Sequence, residues 1–350
     1  IYQSAKCWRM ENEAEVRGGG IHGSLFEKVI SLENLFVAWR EFQCGKRFKE
    51  DVLAFGMEAE EQLIRLHRDL ASGRYAHSPY IHFIVSDPKP RDIHKASVRD
   101  RVLHHAIHRV IEPIFEKRFI YDTYSSRKGK GTHRAVKRFE QLAWKLCRNR
   151  TRTVWVLQCD VRKFFASIDH TLLLAAVTRA VKDKHLLKLL SDIITSFSST
   201  PGTGIPLGNL TSQLFANIFL DPLDQYVKRV LHAPVYLRYA DDILLAHTDR
   251  YQLLLWHDRI GQFLSVDRKL VIHSHKTTLR KWHQGIDFLG YVSFPTHRVI
   301  RTRTKHRLLR RLSPMNAISY FGITIHARAL VSKTRCLCAW LKEVMRATKE

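Results

Sequence analysis

Three acidic residues stand out in a chain that is otherwise strongly basic. The stretch RYADDILLAH, residues 238–247, carries Asp241 and Asp242 side by side between two apolar runs, and Asp160 ends the β-rich run VWVLQCD, residues 154–160. If the two elements are neighbours in one sheet, the three carboxylates meet and raise one another's pKa. Divalent cations such as Mg²⁺ relieve that repulsion and also bind phosphate oxygens. The pattern therefore indicates a two-metal site for phosphoryl transfer.

Each acid has a plainer explanation when it is taken alone. Asp suits tight turns, so an Asp-Asp pair at a hairpin needs no catalytic role. Short motifs of this kind also produce many false positives. The metal-site interpretation therefore depends on what accompanies the acids elsewhere in the chain.

The overall charge points to a polyanionic partner. The 350 residues include 58 Lys and Arg against 33 Asp and Glu, a formal net charge of +25. Such a surplus attracts nucleic acid first, with an anionic membrane surface as the rival. No apolar run approaches about 18 residues and no signal peptide is recognisable, so we expect no membrane partner and a cytoplasmic location. The six cysteines form no C-x-x-C pair, and we interpret them as reduced thiols.

The elements that must position these acids alternate between helices and short β-rich runs. A compact sheet surrounded by helices follows, which is an α+β fold. The apolar spacing and the caps predict helices over residues 24–43, 57–72, 97–119, 132–149, 170–181, 184–196 and 249–264, and basic helices after residue 297. They also predict a glycine-rich turn feeding a long helix within 202–230 and a strand running into a turn within 80–93. Further β-rich runs are predicted at 154–160, in the two halves of VYLRYADDILLAHT and at 288–294.

The order of several motifs resembles the reverse transcriptases. YADD, residues 239–242, is similar to their Y-x-D-D box, and a series of other segments falls where that family has its further motifs. These are the finger motifs of prokaryotic enzymes related to group II introns in FIVSDPKPRDI and SVRDRVLHHAI, their next block in YDTYSSRKGKGTH, the first palm motif in CDVRKFFASID, the glycine motif in PLGNLTSQ, the lysine motif in HSHKTTL and the primer grip in FLGY. Several motifs in order are far more specific than one.

The resemblance implies a right-hand polymerase with fingers, a palm built on a small antiparallel sheet, and a helical thumb. The implied divisions are a loose leader at residues 1–23, N-terminal helices and fingers at 24–153, the palm with part of the fingers at 154–297, and a basic helical thumb at 298–350. Such an enzyme would bind an RNA template, a DNA or RNA primer, the cDNA product and dNTPs.

The resemblance also implies catalytic roles. Asp160, Asp241 and Asp242 would bind two Mg²⁺ ions, with Mn²⁺ able to substitute, and the Val161 carbonyl would contact one of them. Lys276 would protonate the leaving pyrophosphate as a general acid. A surface lysine is the alternative interpretation of Lys276.

Further roles concern the nucleotide and the nucleic acid. Phe165 would exclude a ribose 2′-OH by steric clash, unless it is simply a core residue beside Phe164. The implied dNTP-binding residues are completed by Lys89, Arg91, Leu207, Gly208 and Gln213, where Lys89 and Arg91 could instead belong to a solvated basic loop. The implied nucleic-acid-binding residues are Arg127, Lys128, Lys130, Arg134, Tyr239, Leu289 and Gly290.

One departure from the wider family narrows the type. Most reverse transcriptases have Gln-Gly and Ser-Pro at the glycine motif, whereas this chain has Leu207-Gly208 and Ser212-Gln213. That combination resembles the diversity-generating retroelement branch, which copies an RNA, misincorporates opposite adenines and works with a small basic accessory protein. Three alternatives stay open: a reverse transcriptase of another prokaryotic lineage, either group II intron-like or used in phage defence; a non-catalytic nucleic-acid-binding protein with a palm-like fold; and a two-metal nuclease.

Overall fold

A computed structural model describes residues 24–86, 90–327 and 337–338 of the chain. The predicted leader at residues 1–23, Lys89 and most of the chain after residue 327 lie outside the described residues. The helices are α1 Leu25–Ile30, α2 Leu32–Gln43, α3 Glu50–Met57, α4 Ala59–Ala71, α5 Val98–Glu116, α6 Thr132–Cys147, α7 His170–Thr178, α8 Lys184–Thr195, α9 Leu210–Arg229, α10 Arg250–Arg268, α11 Thr302–Arg311 and α12 Pro314–Thr324.

Nine strands and three short 3₁₀ helices complete the described elements. The strands are β1 Ile81–Val85, β2 Arg91–Lys95, β3 Trp155–Asp160, β4 Val235–Tyr239, β5 Asp242–His247, β6 Thr278–Lys281, β7 Ile286–Phe288, β8 Tyr291–Ser293 and β9 Arg298–Ile300, and the 3₁₀ helices are Phe164–Ser167, Ser274–Lys276 and Trp282–Gln284. Among the described helices, none combines the length and the apolar character that crossing a bilayer requires.

The strands form three antiparallel sheets. A hairpin of β1 and β2 stands apart, a central sheet has the strand order β4-β5-β3-β6, and β7, β8 and β9 form a three-stranded meander. Small antiparallel sheets among many helices confirm the predicted α+β class. Because β9 pairs with β8, the sheet extends three residues past position 297, where the sequence predicts only basic helices.

The first predicted helix, over residues 24–43, is divided in two. Ser24 starts α1 with a capping box to Glu27. Ser31 then leaves the helical conformation, and its hydroxyl accepts a hydrogen bond from the Asn34 amide to begin α2. The apolar period continues across the break, which is why the pattern alone predicts a single helix.

The central sheet separates two apolar clusters because side chains alternate along each strand. On β3, Leu157 and Cys159 face the larger cluster, which includes side chains of α5, α7, α9 and α10. Val156 faces the smaller cluster, which lies between the sheet, α6 and the three-stranded meander. Asp160 has the same parity as Val156, so it belongs to the face covered by the meander. The strand thus delivers its terminal acid to the open end of that face.

Candidate active site

The ladder between β3 and β5 brings the predicted acids together. Asp160 lies directly opposite Asp242 in the antiparallel register. Opposed residues in such a ladder have Cα atoms about 4.5–5.5 Å apart and point their side chains to the same face. Asp241 occupies the two-residue turn between β4 and β5, whose last pair is Tyr239 with Asp242. The expectation that the two β-rich runs are neighbours is therefore confirmed.

The turn that carries Asp241 has an unusual backbone. Ala240 has a φ of 54°, a left-handed conformation that normally favours glycine in a two-residue hairpin. Its carbonyl accepts a hydrogen bond of 3.0 Å from Nη1 of Arg238. A non-glycine residue persists in such a conformation when its surroundings hold it there. Arg238 is one of the groups that do so.

Arg238 is itself fixed by a buried polar network under the turn. Its guanidinium donates to both carboxylate oxygens of Asp224, at 2.7 and 2.6 Å, and to the side-chain oxygen of Asn217 at 3.2 Å. The Tyr236 hydroxyl donates to the same carboxylate at 2.6 Å. The side chains of Arg238 and Asp224 are both 0% exposed. Burial alone would lower the pKa of Arg238, but the charge of Asp224 raises it above its ordinary value.

The acidic doublet resists ionisation. Burial, with the charges of Asp242 and Asp160, raises the pKa of Asp241 to about 7. Burial and the charge of Asp160 raise the pKa of Asp242 to about 6, against the opposing effects of Lys276 and Arg301. Asp242 lines the cavity described below, and the residue is exposed. The protein atoms around its carboxylate still limit the hydration of that group. The mutual repulsion expected from the sequence is therefore present in the doublet.

A cavity of about 390 Å³ is lined by Asp160 and Asp242. Lys276, predicted as a general acid, lies on its wall with its side chain 49% exposed, and its ammonium is bonded to the Asp160 carboxylate. An ion pair between Arg301 and Asp287 also lines the cavity, with 2.6 Å between Arg301 Nε and the carboxylate. The cavity thus combines acidic and basic groups, as a site for a metal-bound triphosphate requires.

The donor set suits a hard divalent cation, although the arrangement is open. Within the described part of the chain, no group of three or more His, Cys, Asp and Glu side chains is arranged so that it could hold a metal ion. Lys276 forms an ion pair with Asp160, although the charge of Asp160 still raises the pKa of both Asp241 and Asp242. Mg²⁺ usually takes only one or two carboxylates and completes its shell with water and substrate phosphates. The acids therefore fit an ion that arrives together with a nucleotide.

Val161 and Phe165 follow Asp160 along the chain. Val161 is buried and bridges to Ile272. Phe164 is the core ring, only 2% exposed, whereas Phe165 is half-buried at the margin of the larger cluster. The two rings meet edge to face with centroids 5.4 Å apart. Phe165 thus packs against the core while part of its ring stays accessible.

The glycine motif joins the β1–β2 hairpin to α9. The carbonyl of Leu207 accepts a hydrogen bond of 3.2 Å from the His94 amide of β2. Gly208 has a φ of +114°, and a Cβ there would lie 3.2 Å from Cγ2 of Ile93. Both the backbone conformation and the close approach therefore require glycine. Gln213 is exposed on the first turn of α9.

The two predicted triphosphate ligands differ in what the structure describes. Arg91 is exposed at the start of β2 and makes no ion pair with a described residue. Its guanidinium is therefore available within the described fold. Lys89 lies outside the described residues, so its role stays a prediction.

The basic block after residue 126 is more structural than its sequence suggests. Arg127 is bonded to the Glu116 carboxylate at 2.8 and 2.6 Å and to the Ile120 carbonyl at 2.7 Å. Lys130 donates to the Tyr121 carbonyl at 2.8 Å. These contacts hold both cations against the protein, and their nucleic-acid role stays a prediction. Lys128 and Arg134 are exposed, and Arg134 donates to the Gly129 carbonyl.

The remaining predicted contacts lie in or beside two hairpin turns. Tyr239 is half-buried beside Asp242, and burial together with that charge raises its pKa. Leu289 and Gly290 form the two-residue turn between β7 and β8, with φ values of 51° and 89°. The Gly290 carbonyl accepts a hydrogen bond from the Arg301 amide.

Comparison with known families decides what kind of protein carries this arrangement. The sequence model of the family described as reverse transcriptase (RNA-dependent DNA polymerase) matches residues 86–293, more than half of the chain. The chain belongs to the reverse transcriptase family. The predicted right-hand polymerase fold and the prediction of an RNA-directed DNA polymerase are thereby confirmed. Reverse transcriptases use divalent metal ions, which agrees with the cluster of acids.

Two bacterial proteins have sequences similar to that of this reverse transcriptase. It is 27% identical to Protein YkfC of Escherichia coli K12 over 319 residues, 80% of this chain and 81% of YkfC. It is 24% identical to the group II intron-encoded protein LtrA of Lactococcus lactis over 179 residues, 48% of this chain and 28% of LtrA. The chain therefore spans only a part of the length of the intron protein.

Among solved structures, the reverse transcriptase is similar to a telomerase from Candida albicans in complex with a fragment of telomeric RNA. The TM-score is 0.53 at 11% identity, covering 79% of this chain and 57% of that chain. At this identity the similarity supports the shared fold alone.

The sequence did not point to two features of the site. Arg238 and Asp224 each stand in an apolar element, and opposite charges in apolar surroundings are the signal of a buried pair. Arg301 and Asp287 carry no such signal. They meet in space because β7 and β9 both pair with β8 in the meander.

Proposed function

We propose that this reverse transcriptase adds deoxynucleotides to a primer by a two-metal reaction in the cavity over Asp160, Asp241 and Asp242. The observation that carries the proposal is the ladder register that opposes Asp160 with Asp242 and leaves Asp241 in the adjoining turn. Mg²⁺, for which Mn²⁺ can substitute, would supply the charge that brings a primer terminus and a triphosphate together. The three carboxylates, with the Val161 carbonyl, would hold it.

Other residues would bind and orient the nucleotide. Lys276 would leave Asp160 when the metal binds and would then hold a proton at Nζ for the leaving pyrophosphate. Phe165 would pack against the deoxyribose and exclude a 2′-OH, and Arg91 and Lys89 would contact the triphosphate. Tyr239, Leu289 and Gly290 would contact the primer strand. The basic residues Lys128 and Arg134, with Arg127 and Lys130 less directly, would contact the backbone of the template–primer duplex.

We propose a matching division of the chain. Residues 24–153 would supply N-terminal helices and fingers, and residues 154–297 the palm with part of the fingers. The basic segment from 298 would form the thumb, with β9 extending the palm meander as far as Ile300.

The decisive experiment is primer extension on an RNA template with dNTPs and Mg²⁺. Asp241→Asn should lower the rate by roughly a thousand-fold or more, since it removes several kcal/mol of charge stabilisation. Asp287→Asn is the matched control because it removes an acid from the same cavity without touching the ladder. It should change the rate only a few-fold. An Asp241→Asn protein that retains most of its activity would overturn the two-metal proposal.

We further propose that the enzyme is of the diversity-generating retroelement type and is error-prone at template adenines. Support comes from Leu207-Gly208 and Gln213, and from the position of Leu207 between the hairpin and α9. An apolar side chain there offers no hydrogen bond to the nascent pair, so discrimination of ~1–3 kcal/mol would be lost. A small basic accessory protein would then be a partner.

The test of this type is the error spectrum of cDNA copied from a defined RNA. Leu207→Gln should reduce errors opposite adenine by roughly ten-fold. Leu207→Met, which stays apolar, should leave them unchanged. If Leu207→Gln and the natural protein make the same adenine errors, this explanation of the branch is wrong.

The second candidate is a reverse transcriptase of a group II intron-like lineage. The similarity to LtrA favours it. It requires faithful copying of adenines by the natural protein, which the same sequencing experiment measures.

A further inference from the structure

The segment from α6 to β3 concentrates positive charge on one surface. Residues 132–153 contain seven Lys and Arg against one acid, Glu140. That acid is already bonded to Arg298, with 2.8 Å between Arg298 Nε and the carboxylate. No acidic side chain of this segment is therefore left to balance the remaining cations.

Five of these cations are exposed and make no ion pair with a described residue: Lys137, Lys145, Arg148, Arg150 and Arg152. Positions 137, 141, 144 and 145 lie on one face of α6, because each is three or four residues along the helix from another of them. The cations on α6 thus form one stripe, which the loop extends. Surface cations without acidic neighbours raise the local concentration of anions.

The loop after α6 has a backbone that presents its side chains outwards. Arg148, Asn149 and Arg150 have consecutive φ values of 42°, 54° and 70°, and none of them is glycine. The turn is closed by a hydrogen bond of 3.0 Å from the Arg152 amide to the Cys147 carbonyl. Each left-handed residue costs about 1 kcal/mol or more. The fold therefore sustains strain to hold two arginines on an exposed turn.

Aromatic rings accompany the cations. Trp144 is 38% exposed, and the Arg150 guanidinium lies 5.6 Å from its ring centre. A groove of about 670 Å³ runs between α6 and the β8–β9 hairpin, lined by Trp144, Lys137 and the stacked rings of Phe294 and His297. Those two rings are 4.8 Å apart and nearly parallel. Rings beside cations are the features that bind unpaired nucleotides.

This surface is separate from the catalytic acids. The loop leads directly into Trp155, the first residue of β3, whereas Asp160 is the last. Five residues of strand at about 3.3 Å each place the two ends of β3 roughly 17 Å apart. A nucleic acid on the loop therefore does not occupy the cavity.

We propose that this α6 surface, defined as Lys137, Trp144, Lys145, Arg148, Arg150 and Arg152, binds an unpaired stretch of the template RNA outside the catalytic cavity. The proposal rests on the proposed copying of RNA. The cations contact phosphates, and Trp144 with the Phe294–His297 rings stacks on bases. A recessed groove with aromatic walls accepts splayed bases and excludes paired ones.

The test uses RNA–DNA template–primers with a short or a long single-stranded template overhang. The natural protein should bind the long overhang more tightly. The triple variant Lys145→Gln, Arg148→Gln, Arg150→Gln should lose that advantage. The slope of its log binding constant against log salt concentration should also become shallower by about two, since each single-strand phosphate contact contributes about 0.7 to that slope. Trp144→Ala should weaken binding of the long overhang roughly five-fold or more.

The matched control is Lys182→Gln, Lys184→Gln, Lys188→Gln, which removes the same charge from exposed positions at the start of α8. It should retain the overhang advantage. The proposal is overturned if the α6 triple variant keeps the advantage, or if both triple variants lose it equally. Extension of the short-overhang primer should be equal in all variants. Its failure in the natural protein would instead contradict the proposed function.

Discussion

Two regions of this reverse transcriptase use arginine in opposite ways. Under the catalytic turn, Arg238 is fully buried and bonded to Asp224, Asn217 and the Ala240 carbonyl. On the α6 surface, Arg148 and Arg150 are exposed and make no ion pair with a described residue. The first arrangement uses the charge to fix geometry, whereas the second leaves the charge available for a partner.

The physical difference is hydration. Burying a charge costs its hydration free energy, which close partners of opposite charge must offset. Removing one partner leaves the other buried and uncompensated. Replacing a charge that stays hydrated changes the stability of the protein little. The comparison therefore predicts large effects on stability under the turn and almost none on the α6 surface.

The largest effect on stability is expected from Asp224→Asn. It leaves the Arg238 guanidinium without its counter-ion in the core, and the free energy of unfolding should fall by about 3–5 kcal/mol. Denaturant titration measures the change. Asp92→Asn, which breaks the exposed pair with His82, should cost less than about 1 kcal/mol. A loss as small as this for Asp224→Asn would mean that water reaches the pair.

A double replacement separates stability from positioning. Arg238→Met with Asp224→Leu removes both charges together, so the protein should recover most of the stability that Asp224→Asn loses. Polymerisation should nevertheless stay roughly ten-fold or more below the natural rate, because no donor then holds the Ala240 carbonyl and the acids are displaced. The apparent Mg²⁺ requirement should rise as well. Full activity in the stable double variant would remove Arg238 from any positioning role.

A buried histidine without a hydrogen-bond partner among the described residues extends the comparison to a titratable group. His104 is 1% exposed, and neither ring nitrogen has a hydrogen-bond partner among the described residues. Burial lowers its pKa to about 3; neighbouring His77 and Arg101 also oppose its protonation, while Asp100 favours it. The unfolded chain binds this proton near pH 6.5 and the folded chain does not, so stability is lost as the pH falls below about 6.5.

His104→Leu should remove that loss. Between pH 7 and pH 4 the natural protein should lose up to about 3 kcal/mol more stability than the variant. His283→Gln, at an exposed position, should leave the pH dependence unchanged. Parallel pH curves for His104→Leu and the natural protein would show that water already hydrates this histidine.

The smallest effect is expected on the α6 surface. Lys145→Gln alone should change the free energy of unfolding by less than about 0.5 kcal/mol, because its ammonium is exposed and makes no ion pair with a described residue. Thermal unfolding is sufficient to check this. A clear loss of stability would show that Lys145 interacts with charges of the folded protein, and it would weaken the contrast with Arg238.

Much of the candidate active site could be predicted from the sequence. The β-rich runs around Asp160 and the Asp241-Asp242 doublet, the long helix after the glycine motif and the α+β class all follow from short periodic patterns, and all are present. The glycine motif PLGNLTSQ also marks Gly208, whose positive φ requires glycine. Local patterns succeed here because strand alternation and turn chemistry act over only a few residues.

Other features needed the tertiary structure. Arg127 is internal because Glu116 lies on the preceding helix, and Arg238 meets Asp224 across the helix–sheet interface. Lys276 reaches Asp160 from 116 positions away in the chain. The sequence by itself determined the types of element, because those depend on local periodicity, and its motifs pointed to the three acids as candidates for the site. Only the tertiary structure decided which charges are buried in pairs and which stay hydrated, because burial depends on contacts between distant segments.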